Sequence, residues 1–160
     1  MPPEEIAVYA ALFGRGGDTH EFKVLVASTE ASDYGIDYIN LRLAVHGLGL
    51  SLEFRSDFNN KNKSSCLIKP SPDLPNLKLI SKDEEAAMFV RARGWTEFHK
   101  RYGKDATLYT VSRVGFSADK NLALLHLFAG GGSGAWAGTL FLFEQKNGRW
   151  QIKMHMQTAG

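Results

Sequence analysis

The last third of the chain constrains the fold most. Residues 107–157 contain TLYTVSRVGFS, NLALLHLFAGG, AGTLFLFEQ and RWQIKMHMQ, four apolar segments parted by three short polar or glycine-rich breaks. Strand-length apolar runs at that spacing predict an antiparallel meander. Lys146-Asn147-Gly148 supplies the clearest turn, because an Asn-Gly pair accepts the positive φ of a two-residue hairpin loop. Side chains alternate across a strand, so Leu122, Leu124, His126 and Phe128 share one face and Ala123, Leu125, Leu127 and Ala129 the other. Both sets are largely apolar, which predicts a central strand covered on both sides. Leu140 and Leu142, set against Phe141 and Phe143, read the same way. In the last segment Trp150, Ile152, Met154 and Met156 are expected on one face. Gln151, Lys153, His155 and Gln157 are expected on a wetter one.

The segments before the meander alternate between helix and strand signals. Pro2 and Pro3 followed by Glu4 and Glu5 suit a first helical turn, where proline costs little and acids favour the helix dipole. Ile6, Tyr9, Ala10 and Phe13 then give an apolar face, and Gly14 with the GRGGD stretch ends the helix. FKVLVAS, residues 22–28, reads as a strand, and the polar connection after it offers Ser32 and Asp33 as helix caps.

Residues 36–59 carry two patterns. Ile36, Ile39, Leu43, Leu50 and Phe54 suit one helical face, whereas Leu48, Leu50, Leu52 and Phe54 alternate as in a strand. The expectation is a helix broken near Gly47. NNKNKSSCLIKPSPDLPN holds three of the five prolines and reads as a loop, the least ordered part expected. Leu77 to Ile80 is a short strand candidate. Ser81-Lys82-Asp83-Glu84 has capping-box spacing ahead of a short helix. Trp95, Phe98 and Tyr102 mark a further helix that Gly103 ends. The sum is a single α+β domain over residues 1–160. It has a curved, mainly antiparallel sheet of about five strands with helices on one face and the four-strand meander at its C-terminal end.

Charge and composition exclude some functions. A net charge of +2, with no interleaving of basic and aromatic residues, gives nucleic acid no footprint. No apolar run approaches the roughly 18 residues of a membrane span. MPPEEIAVYAALF does not read as a signal peptide, so the expected compartment is the cytoplasm, or an exported one after removal of a signal. Cys66 is the single cysteine and forms no internal disulfide; Lys61, Lys63 and Lys69 stand near it in sequence.

The candidate site residues are the polar ones inside apolar strands: Ser112, Arg113, His126 and Thr139. Arg113 reads as an anchor for an anionic or sugar ligand, or as half of an internal ion pair with Glu84 or Glu144. His126 reads as a general base supported by Ser112, or as a packed core histidine. Trp136, in the GGGSGAWAG stretch, reads as a ligand contact at the tip of a flexible hairpin, or as a residue folded back on the sheet. That stretch lacks the P-loop pattern. No G-x-S-x-G elbow occurs, and Glu84-Glu85 are adjacent on a helix, unlike a glycosidase pair. His20, His46, His99, His126 and His155 show no metal-ligand spacing, so no metal or cofactor is expected.

Ser112 to Phe116, Ala123-Leu124, Gly130 to Gly134, Asn147 to Trp150 and Trp95-x-x-Phe98 together carry a resemblance. Over about half its length the chain resembles a loosely defined group of uncharacterised bacterial proteins, many of them exported, a resemblance that implies no activity. The closing meander, through Gly148-Arg149-Trp150-Gln151-Ile152, also resembles the ketosteroid-isomerase and nuclear-transport-factor-like cone fold. Neither resemblance assigns catalytic residues.

The functional expectation is a binding module for a small molecule or protein, with a pocket on the concave sheet face anchored by Arg113, Trp136 and Thr139. The alternatives are a small hydrolase or isomerase using His126 as base, or a structural or immunity-type interaction protein. Oligomeric state is open.

Overall fold

The computed structural model describes residues 1–14, 23–31, 35–75, 77–90, 93–132 and 136–159. His20, Phe22, most of the GRGGD stretch, the cap candidates Ser32 and Asp33, and residues 133–135 of the glycine-rich stretch lie outside them. The elements run α1 (Pro3–Phe13), β1 (Lys23–Val26), α2 (Ile36–Val45), α3 (Leu52–Lys61), β2 (Leu77–Ile80), α4 (Lys82–Phe89) and α5 (Gly94–Tyr102). The meander follows as β3 (Thr107–Val111), β4 (Gly115–Phe116), β5 (Leu122–Gly130), β6 (Trp136–Lys146) and β7 (Arg149–Ala159).

The strands form one seven-stranded mixed sheet in the order β2-β1-β3-β5-β6-β7, with β4 also paired to β5. About five strands were expected; one of the additional strands arises because the segment TLYTVSRVGFS, read as a single strand, splits into β3 and β4. β1 lies between β2 and β3 and pairs parallel with both, while all other pairings are antiparallel. Parallel neighbours need long crossovers. Here the β1–β2 crossover carries α2 and α3, and the β2–β3 crossover carries α4 and α5.

Helices cover both faces of the sheet, where the sequence reading had them on one. Val8, Tyr9 and Phe13 of α1 pack with Leu25, Val111, Leu125, Leu127 and Phe143. On the opposite face α2 and α3 cover Leu124, Leu140, Leu142 and Met156. Beside them α4 and α5 cover Val24, Val26, Ile80 and Leu108. The break near Gly47 is present: Gly47 has φ +69°, α2 ends before it, and Ser51 caps α3 by accepting from the Phe54 N–H. Ile36, Ile39, Leu43, Leu50 and Phe54 are all buried. The proline-rich loop is tied down more firmly than expected, since the Ile68 N–H donates to Ala27 and the Thr29 N–H to Cys66, with Ile68 and Leu74 in the core.

The Asn147-Gly148 turn has φ of +51° and +72°, as a two-residue hairpin loop of primed type requires. The strict alternation expected along β7 fails. Leu142 pairs with Met154 but Phe143 pairs with Ile152, so Lys153 is an extra, bulged residue. A one-residue slip sends side chains to the other face. Trp150 and Ile152 therefore join the core under α1, while Met154 and Met156 join the core under α2 and α3.

Candidate functional site

Ser112 and Arg113 form a second bulge. From Val111, opposite Leu127, to Gly115, opposite Leu124, this strand advances four residues while β5 advances three. The Ser112 N–H donates to the His126 carbonyl at 2.9 Å. The His126 N–H in turn finds Ser112 Oγ at 2.9 Å in place of a backbone carbonyl. The Ser112 carbonyl is released and accepts the Tyr9 hydroxyl at 2.8 Å. The Arg113 N–H donates to Asn62 Oδ1 at 2.7 Å, and its carbonyl accepts from Asn62 Nδ2 at 3.2 Å. The Val114 N–H donates to Glu5 Oε2 at 3.2 Å.

Buried backbone groups need partners, and α1 and the end of α3 deliver them to this bulge. The Arg113 side chain serves the same joint. Its Nη2 lies 2.6 Å from Glu5 Oε1 and its Nε 3.5 Å from Oε2, with Glu5 fully buried. The hydrogen bond to Glu5 raises the Arg113 pKa further above its ordinary range. The ion pair foreseen for Arg113 exists, but its partner is Glu5; Glu84 pairs with Arg101, and Glu144 with Lys146 and Lys153. Glu5 was legible only as a helix-start acid. The signal that could have found it is its place on the face of Val8, Tyr9 and Phe13, opposite an arginine that demanded an acid.

The other candidates separate by face. Thr139 sits opposite Leu127 and Gln157, on the α1 side of the sheet. His126, Phe128 and Gly130 lie on the other side, as do Gly138 and Trp136 across from Phe128 and Gly130. His126 is 4% exposed, its ring stands edge-on to Phe128 at 4.4 Å, and its Nε2 lies 2.5 Å from Thr158 Oγ1 on a third bulge. Burial pushes its pKa down to about 4, so the ring is neutral at neutral pH.

Trp136 is the first residue of β6, not a hairpin tip, and it is 38% exposed. Its ring centroid lies 5.7 Å from that of Trp95, which stacks on His99 at 5.9 Å and packs edge-on against Phe89 and Phe98. Gly130 makes this packing fit: a Cβ there would lie 2.7 Å from Trp95 Cη2 and 3.1 Å from Trp136 Cε3. The result is an aromatic shelf at the end of the β5 row, resting on α5. The sequence reading singled out Trp136 as a contact, but took Trp95 only as a helix-face residue and His99 only as one of five histidines without metal-ligand spacing; their i, i+4 spacing was the available signal.

Between the two helix pairs the sheet carries a strip that belongs to neither apolar cluster: Thr110, His126, Phe128 and Gly138. The shelf closes one end of that strip. Among the described residues no three His, Cys, Asp or Glu side chains gather as a metal site would need, and no helix is long and apolar enough to cross a membrane. No family model matches the sequence, and neither a curated protein nor a solved structure matches it.

Proposed function

We propose that the protein is a small-molecule-binding module, with its ligand seated on the Trp95–Trp136 shelf at the end of the strip running from His126 through Phe128. One observation carries this reading. Trp136 is an aromatic residue 38% exposed, packed against a second tryptophan and over Gly130, at the end of a strip of the sheet face that joins neither of the flanking apolar clusters. Rigid aromatic surface beside a few polar groups is the usual composition of a ligand site. Arg113, engaged by Glu5, drops out as an anchor, and Thr139 faces the wrong side. The enzyme reading loses support because a base with a pKa of about 4 is poorly matched to proton transfer near neutral pH.

The test is saturation-transfer NMR with a library of planar aromatic and hydroxylated ring compounds, run on the parent protein and on Trp136→Ala. Compounds that contact the parent and lose contact in the variant support the reading. A library in which no compound depends on Trp136 sinks it, and hands the shelf to a protein partner.

A further inference from the structure

Helix α2 is apolar on two sides. Ile36, Ile39 and Leu43 are buried against the sheet with Leu140, Leu142 and Met156. Tyr38, Leu41 and Val45 stand on the opposite side, 65%, 64% and 80% exposed. A surface helix ordinarily carries charged and polar residues there, and a helix apolar all round is normally covered all round. Leu52, the first residue of α3, extends the stripe at 66% exposure. It is set beside the middle of α2, because the Leu50 N–H donates to Asn40 Oδ1 and Arg55 pairs with Asp37. Four of the seven large apolar side chains exposed among the described residues thus gather on this surface, which makes it a patch and not ordinary scatter.

The charges beside the stripe are already engaged. Asp37 pairs with Arg55 at 2.5 Å. Arg42 donates to the Gln157 carbonyl at 3.2 Å, and its guanidinium lies 6.0 Å from the centre of the Tyr38 ring. Covering the stripe therefore strands no unpaired charge. Tyr38, Leu41 and Val45 are spaced i, i+3, i+7, the seam that one helix packs against a second helix of the same spacing.

We infer that this stripe pairs with the same stripe on a second copy of the chain, α2 against α2, about a two-fold axis near Leu41. A two-fold interface needs a surface complementary to itself, and uncharged residues meet their own counterparts without like-charge repulsion. The exposed fractions amount to roughly 500 Å² per copy, so the pair buries about 1,000 Å², the least that a specific interface needs. The dimer is accordingly weak and reversible. An anionic lipid surface fits less well, because Asp37 and Glu53 border the stripe where such a surface calls for Lys and Arg. This pairing does not depend on the ligand reading above.

The experiment is sedimentation equilibrium of the parent protein, Leu41→Glu and Val90→Glu over about 5–500 µM, with circular dichroism checking each fold. The parent is expected to form a dimer with a Kd of about 10–100 µM. Leu41→Glu sets two carboxylates at the axis and should weaken the dimer at least about tenfold. Val45→Glu takes its place should Leu41→Glu fail to fold. Val90→Glu removes an apolar residue just as exposed, at the end of α4, and should associate as the parent does. A parent that stays monomeric throughout overturns the inference, as does a dimer that the stripe variants leave intact. Association lost equally in Val90→Glu is non-specific and overturns it too. A monomeric parent that sediments with phosphatidylglycerol vesicles, while Leu41→Glu does not, gives the stripe to a membrane surface instead.

Discussion

The bulge at Ser112 and Arg113 and the shelf at Trp95 and Trp136 lie on the same sheet, yet their chemistry is arranged in opposite ways. At the bulge the groups that β5 does not meet are met from outside the sheet: Glu5 and Tyr9 reach in from α1, and Asn62 from the end of α3. At the shelf, by contrast, the contacts are between rings: Trp136 packs against Trp95, Trp95 stacks on His99, and Trp136 stays 38% exposed. Polar residues in an apolar strand thus mark a structural joint here, and the surface proposed to receive a ligand is mostly aromatic.

The contrast gives an order of expected effects. Glu5→Ala should be the most damaging change, because it leaves the Arg113 cation and the Val114 N–H without their partner. A loss of about 3–5 kcal/mol in urea unfolding is expected, and a loss under 1 kcal/mol would mean the bulge is not a joint.

Next comes pH. The His126 pKa is about 4 in the folded chain against an ordinary value of 6.5. Above pH 6.5 both states are neutral and the fold has its full stability. As pH falls from 6.5 towards 4 the unfolded chain takes up a proton that the folded chain refuses, so stability declines by about 3 kcal/mol. His126→Gln should flatten that part of the stability–pH curve, and an unchanged slope would remove burial of this ring as its cause.

Gly115→Ala should cost about 1–3 kcal/mol, because the new Cβ would lie 2.6 Å from Phe58 Cβ and 2.8 Å from its Cα, across the β4–α3 contact. Chemical denaturation measures it, and a neutral result would show that α3 can back away. Trp136→Ala should be the mildest for stability, about 1 kcal/mol or less, since its ring is already well exposed. A larger loss by thermal melting would turn the shelf into a second joint and erase the comparison.

Much of the fold was legible because local signals and burial agree. The break at Gly47, the Ser81 cap, the α5 face of Trp95, Phe98 and Tyr102, and the Asn147-Gly148 hairpin all follow from residues close in sequence. What escaped were events that depend on distant partners. An apolar run does not show that one residue will bulge, so Lys153 hid the change of face between Ile152 and Met154. Four-residue strands such as β1 and β2 do not announce whether they pair in parallel. Glu5 looked like a surface acid because its partner stands 108 residues away. For the same reason Arg113 and Ser112 looked like site residues.

That separation also sets a clock on synthesis. Glu5 leaves the ribosome 108 residues before Arg113. At about 5–20 residues per second α1 waits roughly 5–20 s for the residues that neutralise its acid. Tyr9 waits as long for the Ser112 carbonyl. Through that interval α1 lacks its partners in the meander, and the segments made last decide when its docking is complete.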